Sequence, residues 1–260
     1  MFAGFNLKMG SDLSQYKELG KSIFNNCKKQ VEEEIDKFLL DDGSINGTEM
    51  QSNWFPQINA DIFISHSHAD RETAIALAGW LKYTFNLDVF IDSCVWGYAD
   101  ELLKKIDDRF CKNPDGSAYI YEKRNHSTSH VHMMLSTALT MLIDKTECIF
   151  ILNTPNSIQS SEIINETKSP WIYYEIGITR LVRKTEPKRP SGILKKGLFE
   201  NAQNLTVKYK VDMEHLCEIT KEDLDYWKKI QEQSRDQHPL DLLYNIHKLI
   251  EVPNLMQSTK

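Results

Sequence analysis

Asn59-Ala-Asp-Ile-Phe-Ile-Ser-His-Ser-His-Ala-Asp-Arg-Glu72 decides how the rest of the chain reads. Ile62, Phe63 and Ile64 form a short unbroken apolar run, polar residues follow at once, and a helical pattern opens near Arg71. A run this short, without polar alternation, fits a strand buried on both faces. In an open parallel sheet the carboxyl ends of the strands face the ligand crevice. Ser65, His66 and Ser67 would stand there.

Downstream the pattern alternates. Ala74, Leu77, Ala78, Leu81 and Phe85 mark the buried face of a helix that Asp70 can cap. Leu87, Val89 and Ile91 alternate as a second strand, ended by Asp92 and Ser93. A loop with Trp96 and Tyr98 around Gly97 is expected next, then a short helix carrying Leu102, Leu103, Ile106 and Phe110. Residues 112–128 read as a surface insertion, and Val131, Met134, Leu135, Ala138, Met141 and Leu142 then recur at helical spacing. Cys148 to Leu152 is the second continuous apolar run, followed by Asn153 and Thr154. Strands alternating with helices in this way imply βαβ crossovers and a parallel sheet. The two apolar strands should be central neighbours, with their polar ends flanking one crevice.

Ser169-Pro170 opens a further helix, serine as cap and proline in the first turn, with Trp171, Tyr174, Ile178, Leu181 and Val182 as its apolar stripe. Leu205 to Val211 alternates like an edge strand. Thr220 and Asp223 resemble a capping box before a helix with Leu224, Trp227 and Ile230, and a last helix follows Pro239. Upstream, Tyr16, Leu19, Ile23, Cys27, Val31, Ile35 and Leu39 predict one long helix over residues 11–40, and 43–58 read as a linker. The expected division is an N-terminal helical extension and linker at 1–58, an α/β domain at 59–215 with an insertion at about 110–128, and a C-terminal helical extension at 216–260.

Composition narrows the partners. Of 260 residues 41% are hydrophobic, enough for a full core, and a net charge of −6 gives no support to a nucleic-acid backbone as partner. Five cysteines without Cys-x-x-Cys spacing favour reduced thiols in a cytoplasm over a disulfide framework. The first residues lack the basic head and apolar run of a signal peptide, and no apolar stretch nears the ~20 residues of a membrane span.

Glu175 is the most informative residue for chemistry. It lies four after Trp171 and three before Ile178, within the apolar stripe of its helix. A carboxylate there must be desolvated or line a cavity, and desolvation raises its pKa. The plainer reading is a Glu at the stripe's edge paired with Arg180 or Lys184. Ser65, His66, Ser67, His68 and Asp70 form a polar cluster. It does not read as a metal centre, because neighbouring residues at a strand end point apart and no second cluster completes the set. There is no Gly-x-Ser-x-Gly elbow, no Gly-x-Gly-x-x-Gly after a strand and no P-loop. A receiver domain would need an acidic pocket, yet Asp61 precedes its strand and the third strand ends in Asn153.

Asp61-Ile-Phe-Ile-Ser-His-Ser67, the Phe90-Ile-Asp92 strand end, the Cys148–Leu152 strand and Ser169-Pro-Trp-Ile-Tyr-Tyr-Glu175 together resemble a bacterial-type Toll/interleukin-1 receptor (TIR) domain over roughly residues 60 to 215. The most specific part is Ser-x-Trp-x-x-x-Glu; the long stretch between Asp92 and His130 departs from the family. The resemblance implies a flavodoxin-like open parallel sheet with helices on both faces and a mobile loop after the second strand. It implies cleavage of the nicotinamide–ribose bond of NAD⁺, as substrate and not cofactor, with Glu175 as the essential carboxylate. Ser65, His66, Ser67, Asp92, Trp96 and Trp171 would bind substrate, and Trp96 and Tyr98 would close over it. Such proteins commonly act in anti-phage defence. A TIR protein without its own effector resembles the Thoeris arrangement, in which it makes a nucleotide signal for a separate protein. Self-association is expected, and nucleic acid, membrane and metal are not. The contrasting reading is a TIR adaptor that catalyses nothing.

Overall fold

The computed structural model describes residues 1–9, 12–27, 35–55, 57–160, 165–167, 169–187 and 209–250. Its strands are β1 (Ala3–Lys8), β2 (Ile62–Ser65), β3 (Val89–Ile91), β4 (Cys148–Asn153), β5 (Gln159–Ser160), β6 (Asn165–Thr167), β7 (Tyr209–Lys210) and β8 (Cys217–Ile219). Its α-helices are α1 (Lys17–Cys27), α2 (Gly47–Trp54), α3 (Arg71–Phe85), α4 (Ser93–Ile106), α5 (Tyr121–Lys145), α6 (Pro170–Leu181), α7 (Lys221–Gln233) and α8 (Pro239–Ile246). Among the described residues five strands make one parallel sheet in the order β3-β2-β4-β1-β8. This is the open, helix-flanked α/β sheet expected from the alternation. The two continuous apolar runs, β2 and β4, are neighbours, with Ile62 opposite Cys148 and Ser65 opposite Ile151. Every residue from Ile62 to Ile64 and from Cys148 to Leu152 is fully buried, as strands covered on both faces require.

The helices fall into two packed sets. One joins α1, α3, α7 and α8; the other joins α2, α4, α5 and α6. In the first set α1 crosses α3 at two glycines. A Cβ on Gly20 would stand 1.8 Å from the Ile75 carbonyl oxygen, and one on Gly79 would stand 2.1 Å from that of Tyr16. Backbone lies on backbone there, so Gly20 serves the crossing more than it weakens its helix. Phe85 stacks on Trp227 at 3.8 Å, tying α3 to α7.

The structure differs from the expectation at both ends of the chain. The extension placed at 1–58 supplies β1, which lies inside the sheet between β4 and β8, and the edge strand beside it is β8, from beyond residue 215. The sheet therefore draws strands from both segments that were expected to flank it. The linker at 43–58 holds α2, whose Met50 and Trp54 are wholly buried. Asn46 accepts the Glu49 N–H as its N-cap, so the polar residues there are helix-start residues. The long helix over 11–40 is α1 followed, at Ile35–Phe38, by a separate 3₁₀ turn; the Val31 part of its stripe lies outside the described residues. Leu19, placed on the buried stripe, is exposed, because α1 turns Gly20 and Phe24 inward instead. Tyr209–Lys210, from the alternating stretch at 205–211, pairs antiparallel with β6 in a separate small sheet; residues 205–208 lie outside the described set.

After Asp92 no loop follows: α4 begins at Ser93 and runs to Ile106, continuing through a π-helical turn at Asp107–Cys111. The insertion at 112–128 is partly the first turns of α5, which spans 25 residues. Among the described residues no helix is long and apolar enough to cross a membrane. Cys94, Cys111, Cys148 and Cys217 are free thiols.

Candidate active site

The order β3-β2-β4 makes the chain leave β2 in one direction for β3 and return past it to β4. That reversal is the topological switch point at which open α/β sheets bind ligands, outside the carboxyl ends of the strands. Ser65 ends β2 there and Asp92 follows β3. Asn153 ends β4 and gives its side-chain amide to Asn6 of β1 at 2.9 Å, which joins two strand ends.

Glu175 reaches this edge from α6. Ser169 caps that helix by accepting the Ile172 N–H, and Pro170 fills the first position, as the sequence predicts. The buried residues of α6 are Ile172, Glu175, Ile176 and Thr179. The predicted stripe is thus turned: Leu181 is 77% exposed and Trp171 half-buried, while Glu175 sits squarely on the inward face. Its carboxyl is wholly buried, and Ser65 Oγ donates to Oε2 at 2.5 Å. Oε1 has no hydrogen-bond partner among the described residues. Of the two cations that the plainer reading offered, Arg180 pairs with Asp212 and donates from Nε to His215 Nδ1 at 3.0 Å, and Lys184 lies near Cys148 and Cys217.

Two further carboxylates line the same edge, each held differently. Asp92 is fully buried, accepts the His66 backbone N–H at 3.1 Å and stands 2.5 Å from His66 Nδ1. Asp70 does not cap α3 with its side chain. It accepts from Ser67 Oγ at 2.6 Å, from Thr154 Oγ1 at 2.5 Å and from Asn156 Nδ2 at 2.8 Å. Those three donors knit the ends of β2 and β4 together and occupy the carboxylate, so Asp70 is poorly placed to ligate a metal. Burial raises the Glu175 carboxyl well above its ordinary range, the Asp92 carboxylate adds to the rise, and the Ser65 hydroxyl works against it. Burial and a neighbouring carboxylate both favour the neutral acid, so a cation brought beside Glu175 would favour its ionised form.

Of the residues singled out in the sequence, Ser65, His66, Ser67, Asp92 and Glu175 meet at this edge. Trp171 lies one turn before Glu175, with its indole edge-on to His132 of α5 at 5.8 Å and to Tyr174 at 6.4 Å. Trp96 belongs to α4, not to a loop, and its side chain lies outside the described residues. A closing movement there would have to shift or unwind the first turn of a helix. Nothing local in the sequence marks Asn156, one of several polar residues in a turn, as a partner of Asp70, which reads as a cap; only the packing of β2 on β4 brings them together. Clefts of about 140 Å³ beside Asp107 and Arg124 and about 160 Å³ beside Asp61 and Asp88 lie away from Glu175. Both are below the ~300 Å³ at which drug-sized ligand pockets begin.

Compared with protein-family models, with curated proteins and with solved structures, the chain matches none.

Proposed function

We propose that the chain is a TIR-type enzyme that breaks the nicotinamide–ribose bond of NAD⁺, with Glu175 as its essential carboxylate. The observation that carries the reading is the wholly buried Glu175 carboxyl, bonded to Ser65 at the switch point of the sheet and lacking a cation. Nicotinamide leaves as a neutral molecule, so bond breaking needs no strong acid, and the ribose acquires oxocarbenium character. The positive charge of the bound nicotinamide ring favours the ionised form of Glu175, whose proton goes to solvent as substrate enters, and the carboxylate then stabilises the charge that passes to the ribose. Ser65, His66, Ser67 and Asp92 would hold the ribose and phosphates, and Trp171 would flank a ring of the substrate. Access to Glu175 requires the edge to open, and α4, which starts directly after Asp92, is the element to move.

The full zero exposure of Glu175 also favours a second reading, a TIR adaptor with a sealed and unused carboxyl. Purified protein incubated with NAD⁺, with nicotinamide release followed by chromatography, separates the two. Turnover by the parent and none by Glu175→Gln supports the enzyme. Equal turnover by both removes Glu175 from its role, and no turnover by either favours the adaptor. In the enzyme reading the setting is a cytoplasm, the ADP-ribose-derived product is a signal to a separate effector in anti-phage defence, and copies of the chain associate. The mass of the product distinguishes ADP-ribose from a cyclic isomer or a conjugate.

A further inference from the structure

A second set of polar side chains converges at the opposite end of the sheet. Glu147 immediately precedes β4, His238 heads α8, and Asp241 lies in the first turn of α8. Each brings one atom able to ligate a metal, and those atoms lie within 4.8 Å of one another. All three residues are half-buried. Tyr244, one turn on and wholly buried against Phe2 and Phe5, donates its hydroxyl to Glu147 Oε1 at 3.0 Å. The Glu147 backbone is fixed as well, since its carbonyl accepts the N–H groups of Phe2 and Ala3. The His238 side chain does not cap its helix.

We propose that Glu147, His238 and Asp241 bind one divalent transition-metal ion of the zinc class. One imidazole with two carboxylates suits zinc and its neighbours better than calcium or magnesium, which take oxygen alone. Zinc bonds such atoms at about 2.1 Å, so two ligands of one tetrahedral ion stand about 3.4 Å apart. The widest separation, up to 4.8 Å, has to close by about 1.4 Å, a movement for side-chain rotation at half-buried positions. Half-burial leaves a fourth position for water. Tyr244 orients Glu147 as an outer partner. The ion would clamp the C-terminal helix α8 to the start of β1 and β4. This inference is independent of the nucleotide-cleaving reading, because the site lies at the amino end of β4 and Ser65 and Glu175 lie at the carboxyl ends.

The test uses the full chain, freed of metal with a chelator and titrated with zinc alone, read by calorimetry and by the melting temperature. Expected are one equivalent bound, a rise in melting temperature, and affinity lost by at least about 100-fold in His238→Ala and in Asp241→Asn, with a smaller, roughly tenfold loss in Tyr244→Phe. Exposed His126 and His130, one helical turn apart on α5, could bind zinc adventitiously, so His130→Ala is the control and should bind as the parent does. The proposal is overturned if the parent binds no stoichiometric zinc, if both ligand variants keep its affinity, or if His130→Ala removes the binding. A ligand variant that unfolds at the same temperature with and without zinc, beside a parent that gains, supports it.

Discussion

Glu175→Gln removes the one charge that the inner face of α6 can acquire, and its effect on stability should depend on pH in a defined way. In the unfolded chain this carboxyl titrates near 4.5; in the fold, burial first and the Asp92 carboxylate second hold its proton to higher pH. Between those two points folding takes up a proton. Stability of the parent therefore falls as pH rises from the unfolded value through the folded one, by about 1.4 kcal/mol for each pH unit. Below that window both states are protonated, and the two proteins differ by a constant. The constant contains the cost of an amide N–H placed where Oε1 has no hydrogen-bond partner, about 1–3 kcal/mol. The Ser65 hydroxyl can still donate to the amide oxygen. The intercept is thus unremarkable and the slope is diagnostic. Urea unfolding at half-unit steps should show the variant gaining on the parent by up to about 1.4 kcal/mol per unit, then levelling where the folded parent ionises. In an Asp92→Asn background the levelling point should move to lower pH. A difference that stays flat from about pH 4.5 to about pH 7.5 refutes the reasoning, since the carboxyl would then titrate in the fold as it does in water.

Gly79→Ala should cost about 3 kcal/mol in urea unfolding, because the added carbon meets the Tyr16 carbonyl at 2.1 Å and two helices must part. Gly97→Ala, exposed within α4 with nothing near its would-be Cβ, should instead gain about 0.5–1 kcal/mol, and equal effects at the two sites would contradict the crossing. His215 is pushed down to about 4, mainly by burial and then by Arg180, so the fold prefers it neutral. Its contribution is complete above pH 6.5 and is lost as pH falls from 6.5 to about 4; melting curves of His215→Gln across that range should show a flatter acid limb than the parent.

How much was legible follows from where each signal lives. β2 and β4 could be read because strands covered on both faces leave uninterrupted apolar runs. The start of α6 and the Thr220 box before α7 could be read because a cap is a local hydrogen bond, and the structure has both. Glu175 stood out as a charge among apolar spacings, although the stripe was placed one position off. β1 escaped notice because Gly4 and Asn6 interrupt it. Each is explained only by distant partners: a Cβ on Gly4 would meet Leu216 at 2.6 Å, and Asn6 is satisfied by Asn153. β8 is three residues long, with Glu218 answering Lys8 across the edge. The second half of α4 reads as helix from Leu102 on, but its start reads as a loop around Gly97, a glycine that faces open space and merely tolerates the helix. His238 and Asp241 lie some ninety residues beyond Glu147, and no spacing rule joins them.

The place of β1 sets an order on biosynthesis. Ala3 pairs with Cys148, and Phe5 with Cys217. β1, made before both of its neighbours, waits for translation to pass residue 153 before it gains one and residue 219 before it gains the other. Until then a ribbon of Phe2, Phe5 and Leu7 is a sticky, unpaired segment on a nascent chain, and closing such long loops makes the last assembly of the sheet slow. Closure of the sheet around β1 therefore comes only after both β4 and β8 have been made.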